Sequence, residues 1–500
     1  MYDLKIVNAQ LVSGDGTAGT PGEIGVRQGR IAALDRTVPG NAQRTIDAGG
    51  HVLCPGFIDL HTHCLPAVNE NYLQTGVTLV VGGNCGFSPE DIQATAAACA
   101  GGCGPNIAML IGHNTVRVAV MGNVNRKPTA AELERMSELV RQALSAGAVG
   151  LSTGLTYVPG NYTETAEVVA LARSAAEFGG YYASHMRDEG DGLMNSVRET
   201  AEIGRAAGLP AHVSHLKVRG RKNWGRSREL LQLMDEFAAG GLDVTHDQYP
   251  YTASCGRILL LFPAWGQEGG PDDMRARLAD SAQRARLKND LVEHIADVYD
   301  SDGERVVITG APDASLNGKS LADLARAAGR RNVPADLAET VLEIVARFPG
   351  QTDVYCVLHG MCEEDVKIIM RHPRTAIGSD AWAPSAHETR PHPRMFGTFS
   401  RVLGHYARDL NLFPVEEAVR RMTGLPARRL GLTDRGVLRE GAWADLAVFD
   451  PATVLDRATF DDPMHYPVGF DYVLVNGVLT IERGQPTGSL PGVFVGRTGN

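Results

Sequence analysis

Two histidines one residue apart, His61 and His63, follow an apolar run at Phe57-Ile58-Asp59-Leu60. Side chains at i and i+2 of an extended strand share a face, so both imidazoles can reach one ion. Cys85, His185, His215 and Asp380 each close a further apolar run at a distant point of the chain. Taken alone, an HxH more often ends as a solvated turn, and a single histidine after a strand more often finds an ordinary hydrogen-bond partner. Six residues of these types, all at strand ends, are a mixed N, O and S donor set of the kind zinc prefers. In a parallel barrel such residues converge at the carboxyl ends of the strands.

The elements needed to bring them together can be read along the chain. Strand patterns at Gly76–Val81, Ile107–His113, Val149–Ser152, Tyr181–His185, Ala211–His215 and Leu242–Thr245 alternate with helical patterns near 164–178, 192–207 and 228–238. Such alternation specifies a parallel sheet with helices outside it. Thr129 and Glu132 form a capping box ahead of a helix whose apolar side is Leu133, Met136, Val140 and Leu144, with Gly147 ending it. Thr375–Asp380 supplies an eighth strand only after a polar, helical stretch over 262–350, which holds one short β run at Arg305–Ile308. That stretch is too long for an ordinary βα connection and reads as an inserted lid subdomain.

Both chain ends are rich in short strands instead. Leu4–Val7, Ile24–Val26, Ile31–Leu34 and Thr45–Asp47 stand at one end, Asp445–Phe449 and a hairpin through Asn476-Gly477 at the other. The expected architecture is therefore α/β. A (β/α)8 TIM-like barrel (55–261 and 351–430) carries an inserted subdomain (262–350) before its last strand, and a discontinuous β-sandwich is assembled from 1–54 and 431–500.

Composition sets bounds on function. With 500 residues, 43% hydrophobic and 21% charged, the chain reads as a folded globular protein of more than one unit. A formal charge of −10 provides no basic field for nucleic acid or an anionic membrane. No stretch reaches the ~18 apolar residues of a spanning helix, and the first residues lack an export-signal pattern. The expected location is the cytoplasm, where eight cysteines are reduced thiols. Oligomeric state is not written in these features.

GNCG at 83–86, YYASHMRDEG at 181–190, AHVSHLK at 211–217, DQYPYTAS at 247–254, GSDA at 378–381 and HPRMFGTFSRVLG at 392–404 resemble the N-acyl-D-amino-acid deacylases, or D-aminoacylases, of the amidohydrolase superfamily. The resemblance covers essentially the whole chain. It implies a tightly bound zinc on Cys85, His185 and His215, a weaker second site on His61, His63 and Asp380, and Asp380 as catalytic base. It also implies that Arg394 fixes the substrate α-carboxylate, assisted by Tyr249 and by Cys255, where relatives usually carry serine. The partner is then a small N-acyl amino acid. Relatives favouring acidic D-residues place lysine directly after the sixth-strand histidine; Leu216 stands there, implying neutral or apolar side chains. The segment from His63 to Cys85 is shorter than usual, and Cys64 replaces an acidic residue. His113, His212, His246, His359 and His387 are expected to be structural or to orient ligands, Arg117 and Arg187 to be salt-bridge partners, and Tyr157 and Tyr162 to pack or line the mouth. Two alternatives stand beside this reading. One is a cyclic amidase related to hydantoinases and dihydroorotases, which needs a lysine at a fourth-strand end where Ser152-Thr153-Gly154 stands. The other is a catalytically silent barrel acting as a binding module.

Overall fold

The computed structural model describes residues 1–348, 354–385 and 388–497. Strands Tyr2–Leu11, Thr20–Arg27, Arg30–Asp35, Ala42–Asp47 and Val52–Pro55 join Leu446–Phe449, Phe470–Val475, Val478–Glu482 and Gln485–Pro486 in one nine-stranded sheet. The two chain ends meet where Val52–Pro55 runs antiparallel to Leu446–Phe449, with Leu53 opposite Val448. Ile6, Ile24, Val26, Leu53, Leu446 and Leu474 make the apolar core beneath. The Asn476-Gly477 turn has φ of 51° and 79°, the left-handed pair a two-residue hairpin requires.

The middle of the chain forms parallel sheets of three and six strands. Phe57–Asp59, Val77–Gly82 and Asn106–Met109 make the first. Ile111–Gly112, Gly150–Gly154, Tyr181–His185, Ala211–Val213, Val244–Gln248 and Thr375–Ile377 make the second. Leu110 alone separates the sheets along the chain, and its N–H still bonds Gly82 O at 2.9 Å. At the other edge an isolated parallel bridge pairs Thr62 with Ala381. Nearly every residue of these strands is buried, as expected where helices cover one face and neighbouring strands fill the other.

Covering helices include Ala130–Ser145, Thr165–Ala176, Leu193–Ala207 and Ser227–Ala239. The first opens on the expected Thr129–Glu132 capping box and buries Met136, Val140 and Leu144. The third strand run is shorter than its apolar pattern suggests, because His113 opens a helix, His113–Met121. The first strand likewise stops at Asp59, leaving His61 and His63 in the loop beyond it.

Between the last two strands lies a compact unit with its own core of Leu287, Leu291, Ile295, Ile308, Leu337, Val341 and Cys356. The helical pattern breaks at Asp280, which caps Ser281–Tyr299 after Pro271–Ala279. The lone β run expected there is an outer strand, Val306–Gly310, of a three-stranded antiparallel sheet. Its other strands, Ser254–Arg257 and Tyr355–Leu358, come from either side of the 262–350 segment. They were not legible because each is only four residues long and Ser254–Arg257 carries no apolar alternation. Among the described residues no helix is long and apolar enough to cross a membrane, and all eight cysteines are free thiols.

One buried ion pair ties the terminal sheet to the parallel strands. Asp445 pairs with Arg435 and accepts hydrogen bonds from Asn476 N at 2.7 Å and Asn106 Nδ2 at 3.3 Å, and Asn476 Nδ2 donates to Asn106 Oδ1 at 2.8 Å. Removing one partner of a buried pair strands the other charge, at about 3–5 kcal/mol. Arg435→Met is expected to lose about that much in urea unfolding, and Arg435→Met with Asp445→Asn to recover part of it.

Candidate metal centre

Each donor sits at or just beyond the carboxyl end of a parallel strand. His185 is the last residue of its strand, His61 and His215 lie two residues past theirs, and Cys85 and Asp380 three. Three of these positions have left-handed backbone, with φ of 54° at Cys85, 35° at His215 and 54° at Asp380. Such conformations cost about 1–3 kcal/mol each and persist only where the surroundings enforce them. At Cys85 they do. A Cβ on Gly83 would meet Leu110 O at 2.1 Å and one on Gly86 would meet Asn114 Oδ1 at 2.2 Å. Asn84 Nδ2 meanwhile donates to Val81 O at 2.9 Å and Leu60 O at 3.2 Å. The GNCG sequence is thus a turn only these residues can fill, and it aims the thiol inward.

The side chains converge. Cys85 Sγ lies 3.3 Å from His61 Nε2, 3.4 Å from His185 Nδ1 and 3.6 Å from His215 Nε2. Asp380 Oδ1 is 3.0 Å from His63 Nε2 and 3.5 Å from His61 Nε2. Two groups result, Cys85 with His185 and His215, and His61, His63, Cys85 and Asp380, sharing the thiol. Around a tetrahedral zinc with bonds of ~2.0–2.3 Å, donors stand about 3.3–3.6 Å apart. The thiol's separations match that spacing, whereas His185 Nδ1 and His215 Nε2, at 2.8 Å, are closer and would part slightly around an ion. In donor type and placement the residues fit zinc.

The surrounding charges prepare the donors. Burial pushes the Cys85 thiol up, but the facing imidazoles of His61 and His185 outweigh it and hold it well below its ordinary value, toward the thiolate that binds metal. Burial likewise pushes Asp380 up, and the Arg394 guanidinium 2.6 Å from Oδ2 overrides it, keeping the carboxylate ionised. His215 Nδ1 turns away from the thiol toward Glu189 Oε1 at 3.1 Å and Lys217 Nζ at 2.6 Å, which pair with each other at 2.5 Å. Asp247 takes the His215 N–H at 2.9 Å, stands 3.4 Å from His61 Nδ1 and is held by His212 Nε2 at 2.8 Å. Asp59 accepts from His61 N and Ser379 N, while burial raises its carboxyl to about 7.

Glu189, Lys217, Asp247 and Asp59 were not singled out from the sequence, although all lie inside its motifs. A carboxylate adjacent to a metal-type histidine was the available signal. Of the histidines set aside, only His212 touches this network among the described residues. His113 pairs with Glu167 at 3.0 Å, His246 with Thr375 Oγ1 at 2.7 Å, and the His359 ring lies 4.9 Å from Phe460. His387 lies outside the described residues. Arg117 and Arg187 pair with Glu167 and Glu199. The Tyr157 ring packs 4.6 Å from His185, and Tyr162 bonds Ala264 O at 3.0 Å.

His63, Cys85, Asp380 and Arg394 open into a cavity of about 1450 Å³, walled in part by Cys255 and Trp382. Arg394 lies 5.0 Å over the Tyr249 ring, whose buried hydroxyl has no partner, and its Nη2 reaches the carbonyl of Cys255 at 3.4 Å. That contact is a backbone one, so the serine-to-cysteine difference leaves it intact. Leu216 is buried among Met186, Leu193 and Val213, off the cavity wall.

A family model described as "Amidohydrolase family" matches residues 44–481. The D-aminoacylase of Alcaligenes xylosoxydans xylosoxydans is 36% identical, covering 99% of this chain and 98% of that protein. The N-acyl-D-glutamate deacylase of the same organism is 35% identical over 97% and 95%. The crystal structure of N-acyl-D-glutamate deacylase from Bordetella bronchiseptica, complexed with zinc and a phosphonate inhibitor, superposes with a TM-score of 0.84 at 35% identity, covering 99% and 100%.

Cys85→Ala is expected to lower zinc content measured on the purified chain, whereas Cys103→Ala, at a buried thiol outside the donor set, leaves it unchanged. Asp247→Asn should weaken zinc affinity about 10–100-fold in a chelator competition.

Proposed function

Because the chain belongs to the amidohydrolase family, in its D-aminoacylase-type branch, we propose that it is a metal-dependent deacylase. It hydrolyses N-acyl-D-amino acids to a carboxylate and a free D-amino acid. The observation that carries this reading is a thiol and two imidazoles within 3.6 Å of one another, adjoining a carboxylate held by a guanidinium. Preference for the D-configuration follows the names of relatives about a third identical over nearly their whole length. We read the two parallel sheets as one closed (β/α)8 barrel, on the strength of the shared run through Leu110 and the Thr62–Ala381 bridge. The inserted unit then spans its mouth.

In this reading Cys85, His185 and His215 hold one zinc ion, and His61, His63 and Asp380 a second. When bound, zinc brings the pKa of water toward neutrality and polarises an amide carbonyl. Asp380 accepts the attacking water's proton on Oδ1 and returns it to the departing amine. Arg394 meets the substrate α-carboxylate with its planar fork. Sharing Arg394 with a second carboxylate relieves its hold on Asp380 and raises that group's proton affinity, so substrate binding itself readies the base. A cyclic amidase would bridge its metals through a modified lysine. The relevant strand closes on Ser152-Thr153-Gly154 with no lysine, Ser152 Oγ donating to Gly83 O at 2.5 Å, and Lys217 is engaged behind His215.

We assign neutral or apolar D-side chains to the substrate. The cavity wall already contains the Glu388 carboxylate, which accepts from Trp382 Nε1 at 2.9 Å, and much of the remaining wall is apolar. N-acetyl-D-methionine and N-acetyl-D-leucine should turn over faster than N-acetyl-D-glutamate, and N-acetyl-L-methionine at least roughly 100-fold slower than its D-enantiomer. Faster glutamate turnover would instead give Arg219, on the same wall, the side-chain carboxylate. Asp380→Asn should lower kcat by about 10²–10⁴-fold without unfolding the chain.

A further inference from the structure

The cavity over the donors is larger than an N-acetyl amino acid needs. Pockets for drug-sized ligands run to about 300–1,000 Å³, and this one measures about 1450 Å³. Arg394, Cys255, Trp382 and Glu388 are among its polar lining groups, and in the deacylase reading they receive the amino-acid half of the substrate. Beside His185 the lining carries large apolar side chains. The Tyr157 ring packs 4.6 Å from His185, and the Phe87 ring lies 5.8 Å from Tyr157. Leu65, Val118, Ile258 and Phe262 line the cavity as well.

Three of these side chains are exposed to an extent their size disfavours: Leu65 at 54%, Val118 at 41% and Phe87 at 39%. Large apolar groups that line a cavity in the free protein gain stability when an apolar ligand covers them. We propose that this wall is a subsite for a long aliphatic acyl chain, so that the preferred substrates are N-acyl-D-amino acids bearing a medium- or long-chain fatty acyl group. The inference rests on the deacylase reading. The acyl arm is its source, because the amino-acid arm is committed to Arg394, which pairs with Asp380, whereas Tyr157 and then Phe87 follow on from His185.

A chain-length series tests this with the zinc-loaded protein. Burial of one methylene is worth up to about fourfold in kcat/KM. From N-acetyl- to N-octanoyl-D-methionine, kcat/KM should rise roughly two- to threefold per methylene and at least roughly 100-fold over the six methylenes added. Lengthening the amino-acid side chain at constant acetyl, from D-alanine to D-2-aminooctanoate, should bring less than a tenth of that gain. Phe87→Ser and Leu65→Ser should each cut the octanoyl-to-acetyl ratio about tenfold. A flat or falling acyl series overturns the proposal, as does a larger gain along the side-chain series. Should neither N-acetyl- nor N-octanoyl-D-amino acids be hydrolysed, the deacylase reading fails separately. Calorimetric titration with acetate and octanoate then decides the subsite: octanoate binding roughly 100-fold tighter upholds it, and equal affinity rejects it.

Discussion

A buried thiol at the meeting point of two donor groups is the constraint on which the rest of the molecule depends. Cys85 stands within 3.6 Å of three imidazole nitrogens while almost wholly out of water. An isolated charge there would be prohibitively costly, so every donor needs a compensating neighbour. The structure supplies them: Asp247 behind His61, Glu189 with Lys217 behind His215 and Glu189 near His185, Asp380 beside His63, and Arg394 behind Asp380. Charges thus alternate outward from the thiol. Substituting any member changes the proton affinity of its neighbours as well as their positions, because coupled groups titrate together.

Holding such a cluster requires rigid walls on all sides, and the fold provides them from parts far apart in sequence. Parallel strands buried on both faces end at the donors, and strained turns at Cys85, His215 and Asp380 redirect the side chains there. The nine-stranded sheet of the two chain ends stands apart from the donors. It is locked to the strands by Asp445, Asn106 and Asn476, so it contributes stiffness and not chemistry. The unit between the last two strands completes the cavity, contributing Ile258, Phe262 and Met274.

Much of this was legible in the sequence, for physical reasons. Strands buried on both faces leave unbroken apolar runs, and a donor immediately after such a run marks its carboxyl end, which is how His61, His63, Cys85, His185, His215 and Asp380 could be picked out. Capping at Thr129 and the turn at Asn476-Gly477 are local chemistry and were equally visible. What escaped depends on contacts between distant segments. The four-residue strands at Ser254–Arg257 and Tyr355–Leu358 are specified by pairing with each other rather than by propensity. The Arg394 contact to Cys255 runs through a carbonyl that every residue possesses. Leu216 sits one residue after a donor yet faces the apolar packing, since the turn at His215 swings its neighbours apart, a direction that spacing alone does not reveal.

The short antiparallel sheet of the inserted unit has a further consequence. Cys255, whose carbonyl meets Arg394, is paired directly with Val357, and Val357 with Val307. The carbonyl that meets Arg394 and the outer strand of the inserted unit are therefore rungs of one ladder. In the proposed reaction, movement of that unit would therefore reach the guanidinium and tie product escape to how firmly its carboxylate is held. Sequence drift in the remote helices of that unit would retune turnover without altering a single group that meets the reacting bond.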